Sequence, residues 1–245
     1  MKRVFLVFIF SVVFALAKEG SFVTYEVDGV SYEAYYSSPS KDAPLVFLVH
    51  DWDGLGEYEI KRASMLYEMG YATYAVDMFG KGVKADSVAK RKELTGALYE
   101  DRDKMRKILY AALHHANTLG ANVDNAVGIG YCFGGTTILE FARSGVNLKA
   151  FIPFHGGFKT PDGQSVADIK GEVVVFHGTA DSSISMEEFA QFAKELEAAK
   201  IPHEMHTYSG APHAFSVFGS PRYHEVADRK SWERFSEYLK EVFAR

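Results

Sequence analysis

The chain has 245 residues, 47% hydrophobic and 14% aromatic, with 27 basic against 32 acidic side chains. That is ample apolar material for a core in one large domain or two small ones, and a formal charge of −5 argues against a nucleic-acid binder. The single cysteine, Cys132, excludes an internal disulfide framework and any thiolate-rich zinc or iron–sulfur site.

Lys2 and Arg3 precede an apolar stretch over 4–14 broken only by Ser11; Ala15-Leu16-Ala17 then supplies small residues before the charged Lys18-Glu19. This layout predicts a signal peptide over 1–17, too short in its apolar part for the ~20 residues that span a bilayer. Retention as an uncleaved anchor is the alternative. No later segment is apolar enough to cross a membrane. Residues 18–245 are therefore expected to be exported, periplasmic or secreted, without stable membrane insertion. Outside the cytosol a lone thiol is open to oxidation.

Residues 21–27 and 30–36 alternate apolar and polar side chains around Asp28-Gly29, a strong hairpin signal. From there strand, loop and helix repeat. Residues 45–50 (LVFLVH) read as a strand. Residues 57–69 read as a helix with Ile60, Ala63, Leu66 and Tyr67 on one face and Gly70 ending it. A strand at 71–77 leads into a charged segment, about 85 to 119, with helical periodicity. A strand at 126–130, a helix at 136–143 and strands at 150–154 and 173–177 follow. Ser185 with Glu188 predicts a capping box, ahead of a buried stripe of Phe189, Phe192, Ala193 and Leu196. A last strand at 203–208 precedes a helix with Trp232, Phe235, Leu239 and Val242 on one side. Apolar strands alternating with amphipathic helices predict a single α/β domain: a mostly parallel sheet, helices on both faces, and an N-terminal antiparallel hairpin. Ligands of such sheets sit at the carboxyl ends of the strands.

Three segments after strands carry chemistry. Gly130-Tyr131-Cys132-Phe133-Gly134-Gly135 runs from a strand straight into a helix. Glycines on either side of a nucleophile permit a sharp turn that lifts its side chain clear of the sheet. The helix N-terminus favours a thiolate at Cys132, and the Phe133 N–H is placed to donate to a developing oxyanion. Asp181, after 173–177, is positioned to orient an imidazole, or to serve as a plain turn residue. His213 lies on the loop between the last strand and the last helix. The chain order nucleophile, acid, histidine is that of the α/β-hydrolase arrangement.

The chain resembles the dienelactone hydrolase family of α/β hydrolases from about the first hairpin to the last helix. The likeness is carried by His50-Asp51-Trp52-Asp53-Gly54, by the segment around Cys132, by His177-Gly178-Thr179-Ala180-Asp181 and by Tyr208-Ser209-Gly210-Ala211-Pro212-His213-Ala214-Phe215, with Tyr223 ahead of the Trp232 helix. A cysteine in the place of serine narrows the likeness to this family. The resemblance implies hydrolysis of a small-molecule ester or lactone through a thioester, without metal or cofactor. Cys132 attacks, His213 moves the proton, Asp181 orients His213, and the Trp52 N–H joins that of Phe133 in the oxyanion hole. Asp51 takes the place of a family carboxylate, usually Glu, that interacts with the resting cysteine. Tyr131, Phe79 and Val217 are expected to line the pocket. Members that cleave dienelactone carry an arginine four residues after the histidine. Val217 stands there instead, so a bidentate carboxylate contact is lost and neutral substrates are expected. Arg91 is a candidate for the family's second arginine.

Other signals are weaker. Gly54-Leu55-Gly56 superficially fits a dinucleotide loop, but Glu59 and the surrounding acids would repel a pyrophosphate. The nine histidines show no metal-binding spacing. His50, His155 and His177 end strands and are expected to satisfy backbone groups. Lys81 and Lys84 read as a solvated loop. The same nucleophile and base would also serve an acyltransferase or a thioesterase. A binding protein or a redox-sensitive thiol protein of this fold is the non-catalytic alternative, and the oligomeric state is open.

Overall fold

The computed structural model describes residues 20–245; the expected signal peptide lies outside the described residues. Asp28 and Gly29 both take positive φ, 51° and 76°, as a two-residue hairpin turn requires. They join β1 (Ser21–Val27) to β2 (Val30–Ser37). β3 (Pro44–Val49), β4 (Ala72–Val76), β5 (Asn122–Tyr131), β6 (Ala150–Phe154), β7 (Glu172–Gly178) and β8 (His203–Tyr208) complete one sheet of order β1-β2-β4-β3-β5-β6-β7-β8. β2 is antiparallel to both neighbours, and every other pairing is parallel.

The apolar strands are buried on both faces. Along β3, Leu45, Phe47 and Val49 enter one apolar cluster while Val46 and Leu48 enter the other, the two-residue alternation of a pleated strand. Helices α1 (Glu57–Glu68) and α6 (Glu225–Phe243) cover the second face. Helices α2 (Val88–Glu100), α3 (Arg102–Thr118), α4 (Phe133–Arg143) and α5 (Met186–Ala198) cover the first. The fold is the α/β architecture that the sequence pattern predicts.

Three local expectations are corrected. The charged segment is two helices, because Asp101 leaves helical geometry and its carboxylate caps α3 by accepting from the Lys104 N–H at 2.9 Å. α1 buries Glu59, Arg62, Ala63 and Leu66, with Ile60 and Tyr67 only half-buried. Arg62 can be buried because it pairs with Asp228 of α6, and Glu59 because it accepts from the Gly56 N–H at 2.9 Å. Ser185 caps α5 by accepting from the Glu188 N–H, but the Glu188 carboxylate accepts from the Phe158 and Lys159 N–H groups. Only half of the capping box forms.

α4 is buried along nearly its whole length. Its fully buried Glu140 is balanced by Arg106 at 2.6 Å, Arg143 at 3.2 Å and Arg102 at 3.4 Å. The helix packs so closely on β3 and β5 that a Cβ at Gly134 would collide with the carbonyl oxygens of Val49 and His50. These are backbone atoms and cannot swing aside. Gly134→Ala is expected to cost about 3 kcal/mol through overpacking, seen as a lower urea midpoint at unchanged m-value.

Candidate active site

Cys132 is the one residue between β5 and α4, at φ 51° and ψ −112°. A non-glycine residue held there stores about 1–3 kcal/mol of strain and needs its surroundings to keep it in place. Its N–H donates to the Phe154 carbonyl at 3.0 Å and to His155 Nδ1 at 3.1 Å, and its carbonyl accepts from the Thr136 N–H at 3.2 Å. The side chain stands at the carboxyl edge of the sheet, partly exposed.

Two other strands deliver side chains to the same edge. The turn after β7 carries Asp181 and the loop after β8 carries His213. His213 Nε2 lies 3.0 Å from Cys132 Sγ, and its Nδ1 lies 2.9 Å from Asp181 Oδ2. The other oxygen of Asp181 accepts from the Ser183 and Ile184 N–H groups at 2.8 and 3.0 Å. Burial would raise the Asp181 carboxyl, but His213 and these two donors hold it below the ordinary range. Burial also draws the His213 imidazole down. Its hydrogen bonds to Asp181 and Cys132 outweigh that and hold it up at about 9. The ring is therefore protonated at neutral pH.

The N–H groups of Phe133 and Trp52 find no protein acceptor among the described residues. Trp52, Cys132 and His213 line a cavity of about 640 Å³, together with Asp51, Arg91 and Val217. Val217 lies on the cavity wall, whereas Tyr131 and Phe79 do not line it. Tyr131, the last residue of β5, faces the second apolar cluster and is fully buried against Tyr58 and Phe154. Phe79 packs edge-on to His50, with ring centroids 4.7 Å apart, and against Phe133.

Asp51 reaches the cavity wall, but no hydrogen bond joins it to Cys132 among the described residues. Its Oδ1 accepts from the Asp53 N–H at 3.0 Å, and its own N–H is held by Glu59 at 3.4 Å. Burial, with Asp53 and Glu59 close by, pushes the Asp51 carboxyl far above the usual range. The Arg91 guanidinium group donates to the Ala85 carbonyl at 2.8 Å, lies 3.6 Å from Asp53 and covers the Trp52 ring at 5.3 Å.

His50 accepts from the Met78 N–H and His155 from the Cys132 N–H. His177 departs from the expectation: neither ring nitrogen has a hydrogen-bond partner among the described residues. It is packed against Phe158 and Phe189, with Asp181 at 4.0 Å. The donors from Ser183 and Ile184 were not anticipated, although an Asp with Ser two residues on is a turn signature that could have shown them. Among the described residues, no group of three His, Cys, Asp or Glu side chains could hold a metal ion, and no helix is long and apolar enough to cross a membrane.

The dienelactone hydrolase family model matches residues 32–243. An inferred carboxymethylenebutenolidase of Aquifex aeolicus (strain VF5) is 27% identical over 90% of this chain and 100% of its own length. A counterpart from Escherichia coli (strain K12), similarly named, is 25% identical over 90% of this chain and 86% of its own. Among solved structures, a dienelactone hydrolase-like promiscuous phosphotriesterase from metagenomic libraries superposes with a TM-score of 0.84 at 27% identity, covering 91% of this chain and 98% of its own.

The His213–Asp181 contact makes a prediction that needs no substrate. In an NMR titration the His213 ring is expected to lose its proton near pH 9. Asp181→Asn removes the carboxylate that favours the charged ring, so the midpoint should fall by about 1–3 units. An unmoved midpoint would show that the two side chains are not coupled.

Proposed function

Because the chain belongs to the dienelactone hydrolase family, we propose that it is an exported hydrolase of small, neutral esters or lactones that works through a thioester on Cys132. The supporting observation is the unbroken contact from Cys132 Sγ through His213 to Asp181, with Cys132 and His213 on the wall of the 640 Å³ cavity.

The thiolate, beside the imidazolium of His213, adds to the substrate carbonyl carbon. A C–S bond forms and the carbonyl π pair moves onto oxygen, where the Phe133 and Trp52 N–H groups donate to it. Collapse restores the carbonyl and breaks the C–O bond, and His213 gives its proton to the departing alkoxide. In a lactone that hydroxyl stays attached to the acyl chain. Neutral His213 then takes a proton from water as the water oxygen adds to the thioester. Collapse expels the thiolate, releases the acid and leaves His213 protonated again. Asp181 keeps the ring oriented throughout.

Asp51, kept neutral by burial, places no negative charge beside the incoming carbonyl. Val217 sets hydrocarbon on the wall, and the charge of Arg91 is offset by Asp53. Arg222, also at the cavity, is exposed and screened by solvent. The Val217 wall and the offset or solvated arginines support the preference for neutral substrates, as the basic, apolar and small-residue order of residues 2–17 supports export.

With a short p-nitrophenyl ester, intact-mass analysis should catch a transient acyl adduct on Cys132. His213→Ala should lower kcat by about 10²–10⁴-fold, and a neutral lactone should turn over faster than its carboxylate-bearing analogue. Wild-type turnover in Cys132→Ala would overturn the mechanism, and a reversed lactone preference would overturn the specificity. Capture of the acyl group by added alcohol would indicate transfer instead of hydrolysis. Export is checked separately: the protein recovered from the periplasmic or secreted fraction should begin at Lys18, and an intact chain retained in the membrane fraction would contradict cleavage.

A further inference from the structure

We propose that His155 is a positioning residue that sets the separation of Cys132 and His213, holding the nucleophile turn on one ring nitrogen and the His213 loop on the other. This rests on reading Cys132 and His213 as the reacting pair. His155 follows β6 at φ 40° and is fully buried. Its Nδ1 accepts from the Cys132 N–H at 3.1 Å, so that nitrogen carries no hydrogen and the ring's one N–H is on Nε2. Nε2 donates to Ser216 Oγ at 2.8 Å, and Ser216 lies three residues beyond His213. One imidazole therefore spans the two pieces of chain that must meet.

The surroundings keep the ring in that tautomer. Burial draws it well below the ordinary histidine range, and charge on His213, Arg62 and His177 acts in the same direction. A second proton would turn Nδ1 from acceptor into donor and release the Cys132 N–H. The uncharged rings of Phe215 and Tyr131 complete its surroundings.

Ser216 is anchored in turn. Its hydroxyl lies 2.9 Å from that of Tyr58, and its carbonyl accepts from Arg62 at 3.0 Å. Arg62 is paired with Asp228 and covered by the rings of Phe218 at 4.3 Å and Trp232 at 4.6 Å. The His213 loop is thus tied to α1 and α6, and through His155 to the nucleophile. Backbone satisfaction alone does not require this, because the Cys132 N–H already has the Phe154 carbonyl at 3.0 Å. A connected set of buried polar groups fixes geometry more than it adds stability.

The test compares His155→Phe, His155→Gln, Ser216→Ala and His213→Ala, each checked for folding by circular dichroism. kcat and KM are measured on a neutral p-nitrophenyl ester, and iodoacetamide alkylation of Cys132 is followed against pH. His155→Phe should lose about 10²-fold in kcat, the scale of an ångström-level misplacement, with KM little changed. Its alkylation profile should move toward that of His213→Ala. Ser216→Ala should move both readouts the same way by less, and His155→Gln, which offers an acceptor and a donor, should recover part of the loss. Folded His155→Phe and Ser216→Ala with wild-type kcat and profile would overturn the proposal; if His155→Phe does not fold, Ser216→Ala decides. A wild-type profile in His213→Ala would instead overturn the Cys132–His213 pairing itself.

Discussion

The backbone of Cys132 sits where a side chain is normally excluded, and much of the molecule is arranged to keep it there. The strain of about 1–3 kcal/mol is opposed by hydrogen bonds that each contribute about 1 kcal/mol net, two at its N–H and one at its carbonyl. Those bonds depend in turn on packing. α4 must start immediately after Cys132, which brings Gly134 against the carbonyls of β3 and sinks the rest of the helix into the core. Glu140 goes under with it and is tolerable only because three arginines surround it. The packing of the first apolar cluster and the placement of the sulfur are one problem with one solution.

Around that fixed point, burial acts alike on every ionisable group, and local donors decide the outcome. Asp181 and Asp51 are both nearly inaccessible. Asp181 accepts from two backbone N–H groups and the His213 ring, and stays charged. Asp51 accepts from one N–H and faces Asp53 and Glu59, so its carboxyl is pushed toward the neutral form. His213 gains more from its carboxylate than it loses to desolvation, while buried His155 has no anionic partner and stays neutral. Four groups within one edge of the sheet thus take four different states without any exotic chemistry.

What could be read from the sequence follows from the range of each interaction. Apolar runs of strand length, Asp28-Gly29 and the glycines about Cys132 are local, and they are enough to place the sheet, the hairpin and the sharp turn. The segments after β3, β5, β7 and β8 were legible because topology sends the ends of parallel strands to one edge. Pairings across long stretches of chain were not legible. Arg62 looks solvent-facing until Asp228, 166 residues away, closes on it. Glu188 looks like the second half of a capping box until the Phe158 turn offers it better donors. His155 looked like a local backbone partner, and only the fold brings Ser216 to its other nitrogen. Tyr131 is a simpler case: it is still a strand residue and faces the second apolar cluster, whereas Cys132, one residue on, is lifted off the sheet by the turn.

The same accounting bears on substrate charge. An anionic group bound firmly in a partly enclosed cavity needs a cation whose donors are free and desolvated. Arg91 lines the cavity, but it donates to the Ala85 carbonyl, faces Asp53 and sits over the Trp52 ring. The last two of these contacts brace the loop that carries Trp52, whose N–H is proposed for the oxyanion hole. Turning Arg91 toward a substrate carboxylate would strip Asp53 of its partner and loosen that loop, so anion binding and oxyanion binding would compete for one side chain. With Val217 offering only hydrocarbon and Arg222 left in solvent, a neutral ester avoids that competition, and the charge already in the cavity stays balanced when it enters.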